Sequence, residues 1–408
     1  MGLRLPGGVR SSEDFWELLL SKRDISVEIP KDRYNVDAFY SANRPRAVKT
    51  KRGFFLDEDL TTIDPSIGSS MANHQGLIDP QQRLLLEVVW ECMESAGQTG
   101  WRGRDIGVYV GTFGEDSLEL SLKDPLSINR SQVFGVNDFC LSNRISYEYD
   151  LRGPSMTIKA ACSASMVGLH EACQSVGSGV CSSAIVAGSS LILTPTMTTA
   201  MSESMVLSPD GECRTFDADA NGFARAEAVN AVYIKRLDDA IRDGDPIRAV
   251  IRSTMINSNG QSTKMAKPSA ELQEALIRKA YKHAGITDIA RTALFEAHGT
   301  GTQAGDAVET VAIARAFGGN GVYISAVKPN VGHSEGASGL TSIIKAVLCL
   351  EKRMIPPNMR FSKPNPNIPF KKGNLRVTDE LLPWPQDREE RVSVNSFGIG
   401  GSNAHVSF

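Results

Sequence analysis

One cysteine of the seven stands where a thiol could do acyl-transfer chemistry. Cys162 lies among small residues, Ala160, Ala161, Ser163 and Ala164, where a strand pattern (Ser155-Met156-Thr157-Ile158) gives way to a helix pattern from Ser163 to Ser175. The positive end of a helix stabilises a thiolate by up to about 2 kcal/mol. At about 1.36 kcal/mol per pKa unit, that brings an ordinary thiol value of about 8.5 down to about 7. The expectation is a nucleophile ionised near neutral pH and ready for acyl transfer. A buried structural thiol is the competing reading, of equal weight on position alone, because free cysteine is so often buried. For Cys173 and Cys349, inside apolar helix patterns, the structural reading wins.

Two histidines share a second context. His298, in Glu296-Ala297-His298-Gly299-Thr300-Gly301-Thr302, and His333, in Lys328-Pro329-Asn330-Val331-Gly332-His333, both follow buried-strand patterns and sit in glycine turns. Glycine lets backbone and substrate approach closely, and ligands of open α/β sheets gather at the carboxyl ends of strands. A lone loop histidine is usually just solvated; two in one context, beside a helix-capped cysteine, point to a site. His74, His170 and His283 read as structural or surface residues, and His405 as part of a C-terminal loop. The run Asn395-Ser396-Phe397-Gly398-Ile399-Gly400-Gly401-Ser402-Asn403 follows the strand Val392-Ser393-Val394 and offers backbone N–H groups suited to an oxyanion. It matches neither the dinucleotide nor the P-loop glycine pattern, so nucleotide cofactors lack support.

The elements that must hold these residues alternate. Asp79-Pro80 followed by Leu84 to Ala96 and Gly97 reads as a capped helix. Strand patterns cover Asp105–Gly111, Ser155–Ile158 and Ala184–Gly188. The second half repeats them: strand Ile247–Ile256, helix Leu272–Ala284, strand Thr292–Ala297, helix Asp306–Phe317, strand Val322–Ser325 and helix Gly336–Glu351. Such alternation implies mostly parallel sheets with helices on both faces. Pro356 to Pro369 reads as a loop, and a duplication of the whole β-α pattern is plausible from topology.

Bulk properties exclude more than they identify. A chain of 408 residues exceeds one ordinary domain, so two domains or one large duplicated core is expected. A net charge of -3, without a basic run carrying aromatics, argues against nucleic acid. The cysteines lie singly, which argues against zinc and a disulfide framework and fits a reducing compartment. Without an apolar leader or spanning run the expectation is a soluble, cytoplasmic protein with no membrane role.

Together these residues resemble the ketosynthase domains of type I polyketide and fatty acid synthases, within the thiolase-like condensing enzymes. The likeness runs from Leu5-Pro6-Gly7-Gly8 and Phe15-Trp16-Glu17-Leu18-Leu19 through Asp79-Pro80-Gln81-Gln82-Arg83, Tyr147 to Ser155 and Arg214 to Ala220, to Asn403-Ala404-His405. The resemblance implies an α/β thiolase-like fold, with duplicated β-α halves and mostly mixed or parallel five-stranded sheets in a layered αβαβα arrangement. Its halves would be residues 1–240, carrying the nucleophile, and 241–408, carrying both histidines. It implies a β-ketoacyl synthase that condenses an acyl group on Cys162 with malonyl-acyl carrier protein by decarboxylative Claisen chemistry. His298 and His333 would promote loss of CO2, with the oxyanion hole on the N–H groups of Cys162 and Phe397. Lys328 and Asp306 would hold the histidines; Thr300, Thr302, Phe397 and Gly398 would meet the substrate. For Lys328 the plain alternative is a surface lysine, for Asp306 a helix N-cap. No cofactor is expected on the chain itself, since substrates arrive on the phosphopantetheine of an acyl carrier protein. A homodimer working with other synthase domains is also implied. The nucleophile's surroundings and the Arg-Leu-Pro-Gly-Gly opening look most like fungal iterative reducing synthases.

The chain departs from the family pattern in four places. Lys159-Ala160 replaces an acid and a threonine before the nucleophile, and alanines replace glycines in Arg225-Ala226-Glu227-Ala228. Pro65 to Ser70 lacks a pair of phenylalanines, and the first strand, ahead of Leu5, is expected to be missing. These departures keep open a second reading, a remnant that folds and dimerises without condensing.

Overall fold

Continuous apolar runs bounded by glycine and proline become central strands when both faces are covered. In the computed structural model, which describes residues 1–62, 78–124, 126, 132–261 and 264–408, this happens in both halves. The first sheet is built from β1 (Gly2–Arg4), β2 (Ile106–Thr112), β3 (Ser155–Ile158), β4 (Ser183–Ser190) and β5 (Ala228–Lys235). The second is built from β6 (Ser253–Ser258), β7 (Thr292–Glu296), β8 (Val322–Ser325), β9 (Leu375–Arg376), β10 (Glu389–Phe397) and β11 (Ser402–Ser407).

The sheets repeat one topology. Their orders are β1-β5-β4-β2-β3 and β6-β11-β10-β7-β8-β9. Read from β1 and from β6, each runs through two antiparallel and then two parallel pairings. The duplication is therefore visible in strand order, whereas identity between the halves did not reveal it. One correction concerns size: the second sheet has six strands, because the two-residue β9 adds to β8 beyond the shared five.

Helices α2 (Ala164–Ser178) and α5 (Ser338–Lys352) lie between the sheets, and α1 (Pro80–Ser95) covers the outer face of the first. Helices α3 (Ala270–His283) and α4 (Gln303–Phe317) cover the outer face of the second. The middle layer buries Met166, Leu169, Leu340, Ile344 and Val347 against Val186, Val392 and Val394. Outside it, Leu85 and Val89 pack on Val108 and Ile185, and Ile277 and Ile313 on Phe295. These are the five expected layers. Gly111 shows how tightly they meet: a Cβ there would lie 2.3 Å from the backbone nitrogen of Ser165, so only glycine lets α2 start against β2.

Asp79 caps α1 through Gln81 N–H, with Pro80 in the first turn, as the sequence reads. Most boundaries move by a few residues, and some elements change more. The strand expected from Ile247 pairs only from Ser253, since the first ladder partner on β11 is Ser407. The strand expected at 392–394 runs on to Phe397, and His405 lies on β11 instead of a loop, because Ser393–Phe397 pairs with Asn403–Ser407. The first strand is present as Gly2–Arg4, antiparallel to Val229–Ala231, which overturns the expected loss of that strand. His74 and Pro65 to Ser70 lie outside the described residues. Among the described residues no helix is long and apolar enough to cross a membrane.

Candidate active site

Between β3 and α2 the chain turns through Ala161, whose φ of +50° is one that L side chains rarely adopt. Ser163 secures the turn by donating from Oγ to the Ala160 carbonyl at 2.8 Å. The Cys162 carbonyl accepts from Ser396 Oγ at 2.8 Å and Ser338 Oγ at 3.2 Å, which ties the Cys162 loop to β10 and to the start of α5. Gly398 must approach just as closely, since a Cβ there would lie 2.4 Å from the Ala160 oxygen.

Cys162 itself is half-buried and opens on a cavity of about 480 Å³ that is also lined by His298, His333, Thr300, Thr302 and Phe397. The ligating atoms of Cys162, His298 and His333 all lie within 4.8 Å of one another. The imidazoles meet edge to face, centroids 5.4 Å apart, with Phe397 5.8 Å from His298 and Phe223 4.9 Å from His333. The structure thus joins the cysteine of one half to the two histidines of the other.

The thiol does not behave as its position before a helix predicts. Burial, with a contribution from the Glu335 carboxylate, pushes Cys162 up to about 11, against the pull of the Ile399 N–H and Lys328. Desolvation outweighs the helix end. Burial also holds both imidazoles well below their ordinary value, and the nearby Lys328 cation adds to it. They are neutral at pH 7.

Each imidazole has its own support. The His298 carbonyl accepts from Lys328 Nζ at 2.6 Å, and Glu309 takes the N–H groups of His298 and Gly299 at 2.8 and 2.9 Å. His333 Nδ1 accepts from the Glu335 N–H at 3.2 Å, so the neutral ring carries its proton on Nε2, which has no partner of its own. A metal needs the free pair that this tautomer lacks on Nε2. The Cys-His-His set therefore has the spacing of a ligand set without the right protonation.

Lys328, 1% exposed, is no surface lysine. Nor is Asp306 the N-cap of α4; that place belongs to Thr302, while Asp306 accepts from Phe216 and Gly301 N–H at 2.8 and 3.1 Å. Burial and neighbouring Glu309 push it up to about 7. Thr300 and Thr302 hydroxyls lie 3.1 Å apart at the cavity wall. Phe397 pairs opposite Asn403, and the neighbouring Gly398 N–H goes to Ser402, so strand alternation turns the Phe397 N–H away from β11.

Sequence reasoning missed Glu309, Glu335, Ser338 and Ser396. Glu309 carried a usable signal, an acid one turn beyond Asp306 on an otherwise apolar helix face; the two serines carried none. Two departures from the family pattern prove accommodated. Lys159 pairs with Glu115 and, at 2.6 Å, with Asp138 instead of turning to the thiol. Arg225 pairs with Glu335 and Glu227 with Arg33, at 2.6 and 2.8 Å.

Two layered halves with a cysteine and paired histidines at their junction define a thiolase-like condensing-enzyme class, and the sequence comparisons agree. The N-terminal domain of beta-ketoacyl synthase matches residues 1–240, its C-terminal domain residues 248–362, and the ketoacyl-synthetase C-terminal extension residues 364–407. The chain belongs to the β-ketoacyl synthase family. It is 58% identical over its full length to the highly reducing polyketide synthase g433 of Fusarium sp, and 56% identical to gloL of Glarea lozoyensis. It spans 16% of the length of each of these relatives. Among solved structures, a cysteine-to-serine mutant of the ketosynthase from module 6 of the bacillaene synthase of Bacillus subtilis 168 superimposes with TM-score 0.90 at 33% identity, covering the whole chain and 70% of that structure. The oxazolomycin ketosynthase domain OzmH KS7 of Streptomyces albus JA3453 gives 0.92 at 32%, with 73% of that structure covered.

Proposed function

We propose that this chain is the acyl-transferring, carbon–carbon bond-forming ketosynthase of a cytoplasmic, reducing polyketide synthase, fed by acyl carrier protein. The observation that carries the reading is the Cys162 sulfur beside two neutral imidazoles, one of them fixed as the Nε2–H tautomer.

The thiol loads first. As its sulfur bonds the carbonyl carbon of an acyl thioester, the proton goes to His298, because the Nδ1 of His333 is already occupied. The tetrahedral oxyanion is held by the N–H groups of Cys162 and Phe397, each donor contributing about 3 kcal/mol. The departing phosphopantetheine thiolate takes the proton back.

The malonyl thioester then enters along Thr300 and Thr302. Its thioester oxygen accepts from His333 Nε2–H and from His298, CO2 leaves, and the C–C electron pair becomes an enolate held by those donors. The enolate carbon attacks the acyl carbon on Cys162, the C–S bond breaks, and the thiolate takes a proton from solvent, replacing the one that left with the phosphopantetheine thiol. Lys328 and Asp306 position the histidine turns. Residues 1–240 supply the nucleophile and 241–408 the decarboxylating pair, within a homodimer that works beside other synthase domains.

The test follows acyl loading by intact mass and CO2 release from malonyl thioester. Cys162→Ala should abolish the adduct, His333→Ala should load but stop CO2 release, and His298→Ala should slow loading as well as stop CO2 release. A Cys162→Ala protein that still loads, or normal decarboxylation in both histidine variants, would sink the reading. Loading by the wild-type chain would also dispose of the silent remnant, for which no feature of the site speaks.

A further inference from the structure

Glu335 is a non-glycine residue with a φ of +46°, in a turn where any L side chain is strained. Its N–H is the group that caps His333 Nδ1. Its carboxylate is held by Arg225 in a two-point contact, Nε to Oε1 at 2.6 Å and Nη2 to Oε2 at 3.0 Å, with both side chains buried. Arg225 also donates from Nη1 to Thr198 Oγ1 at 2.7 Å, and the next backbone N–H, of Ala226, donates to the His333 carbonyl at 2.9 Å. The condensation described above uses neither charge. Burying an ion pair brings little net stability, so it is a poor explanation of itself.

We propose that Arg225 and Glu335 are a positioning pair for His333, their two-point contact holding the strained Glu335 backbone so that its N–H keeps the ring proton on Nε2. The inference rests on the donor role given to His333. If the contact is lost, Glu335 relaxes toward negative φ and its N–H swings off Nδ1. The two ring nitrogens then compete for one proton, and fewer molecules present a donor to the thioester oxygen. The Arg225 cation also disfavours an imidazolium at His333.

Two variants and one measurement on the unaltered protein test this. In wild type, imidazole ¹⁵N shifts should show His333 as the Nε2–H tautomer; a proton on Nδ1 overturns the proposal whatever the variants do. Glu335→Gln and the neutral double variant Arg225→Met/Glu335→Gln should still acquire the acyl adduct on Cys162 while CO2 release falls about tenfold to a hundredfold. Their His333 shifts should report mixed tautomers, which a purely structural pair would not produce. Wild-type CO2 release in these variants, with His333→Ala inactive, overturns the positioning pair alone. Normal CO2 release in His333→Ala removes the underlying reading instead.

Discussion

Lys328 reaches His298 through the backbone, its ammonium donating to the His298 carbonyl at 2.6 Å with no exposed surface of consequence. The contact fixes where the imidazole starts, and the charge disfavours a second cation on either ring. Replacing Lys328 with Met removes that repulsion, so both histidines protonate more readily. The acid limb of CO2 release should then move to higher pH, alongside a lower maximal rate. A lower rate with an unmoved acid limb would mean that Lys328 acts by position alone.

With Cys162 at about 11, the thiolate is a small fraction near neutrality. Alkylation of Cys162 by iodoacetamide, mapped by mass, should therefore rise about tenfold per pH unit from pH 7 to 10 without a plateau. A plateau near pH 7 would restore the helix-end picture.

That contrast marks what sequence could reveal. Types and spacing were enough to single out Cys162, His298 and His333, which the structure brings together, because glycine turns and small neighbours are local signals. The thiol's ionisation was misjudged because it depends on desolvation and on Glu335, which is remote in sequence. His405 looked like a loop residue because a glycine run sits just before it; its pairing opposite Asn395 is a long-range fact. For Lys328 a surface lysine stayed open as the plain alternative, since its burial is likewise a long-range fact. The missing first strand was misjudged because three residues suffice when β5 supplies the register.

Ser396 and Ser338 jointly satisfy the Cys162 carbonyl, so their loss should not be additive. Ser396→Ala should cost about 1 kcal/mol in urea unfolding, because Ser338 remains. Ser396→Ala/Ser338→Ala leaves the carbonyl without a hydroxyl partner and should cost about 1–3 kcal/mol beyond the sum. Strict additivity would show that water takes their place.

Gly398→Ala puts a methyl 2.4 Å from the Ala160 oxygen and 3.0 Å from Ser163 Oγ. The strand end and the Cys162 loop must separate, at about 1–3 kcal/mol. Acyl loading should fall sharply in a protein that still folds. Wild-type loading would show that the loop yields without moving the sulfur.

His405 tests how the buried site responds to acid. Its Nδ1 donates to Asn395 Oδ1 at 2.7 Å, Asn395 donates to Glu309 at 2.9 Å, and Glu309 holds the His298 turn. Burial brings His405 down to about 3, against about 6.5 in an unfolded chain. Between those values the unfolded state takes a proton that the fold refuses, so stability is complete above about pH 6.5 and lost as pH falls toward about 3. His298 and His333 act with the same sign. Asp306, raised to about 7, acts oppositely and favours the fold as pH drops through that value, and the raised Glu309 acts with the same sign as Asp306. His405→Phe keeps a ring beside Phe295 and Tyr281 but strands the Asn395 oxygen, costing about 1–3 kcal/mol at pH 7.5. Below about pH 6.5 the variant should regain about 1.4 kcal/mol per unit relative to wild type, so the two stability curves cross. A difference that stays constant from pH 7.5 to 4.5 would place the acid sensitivity in the other histidines.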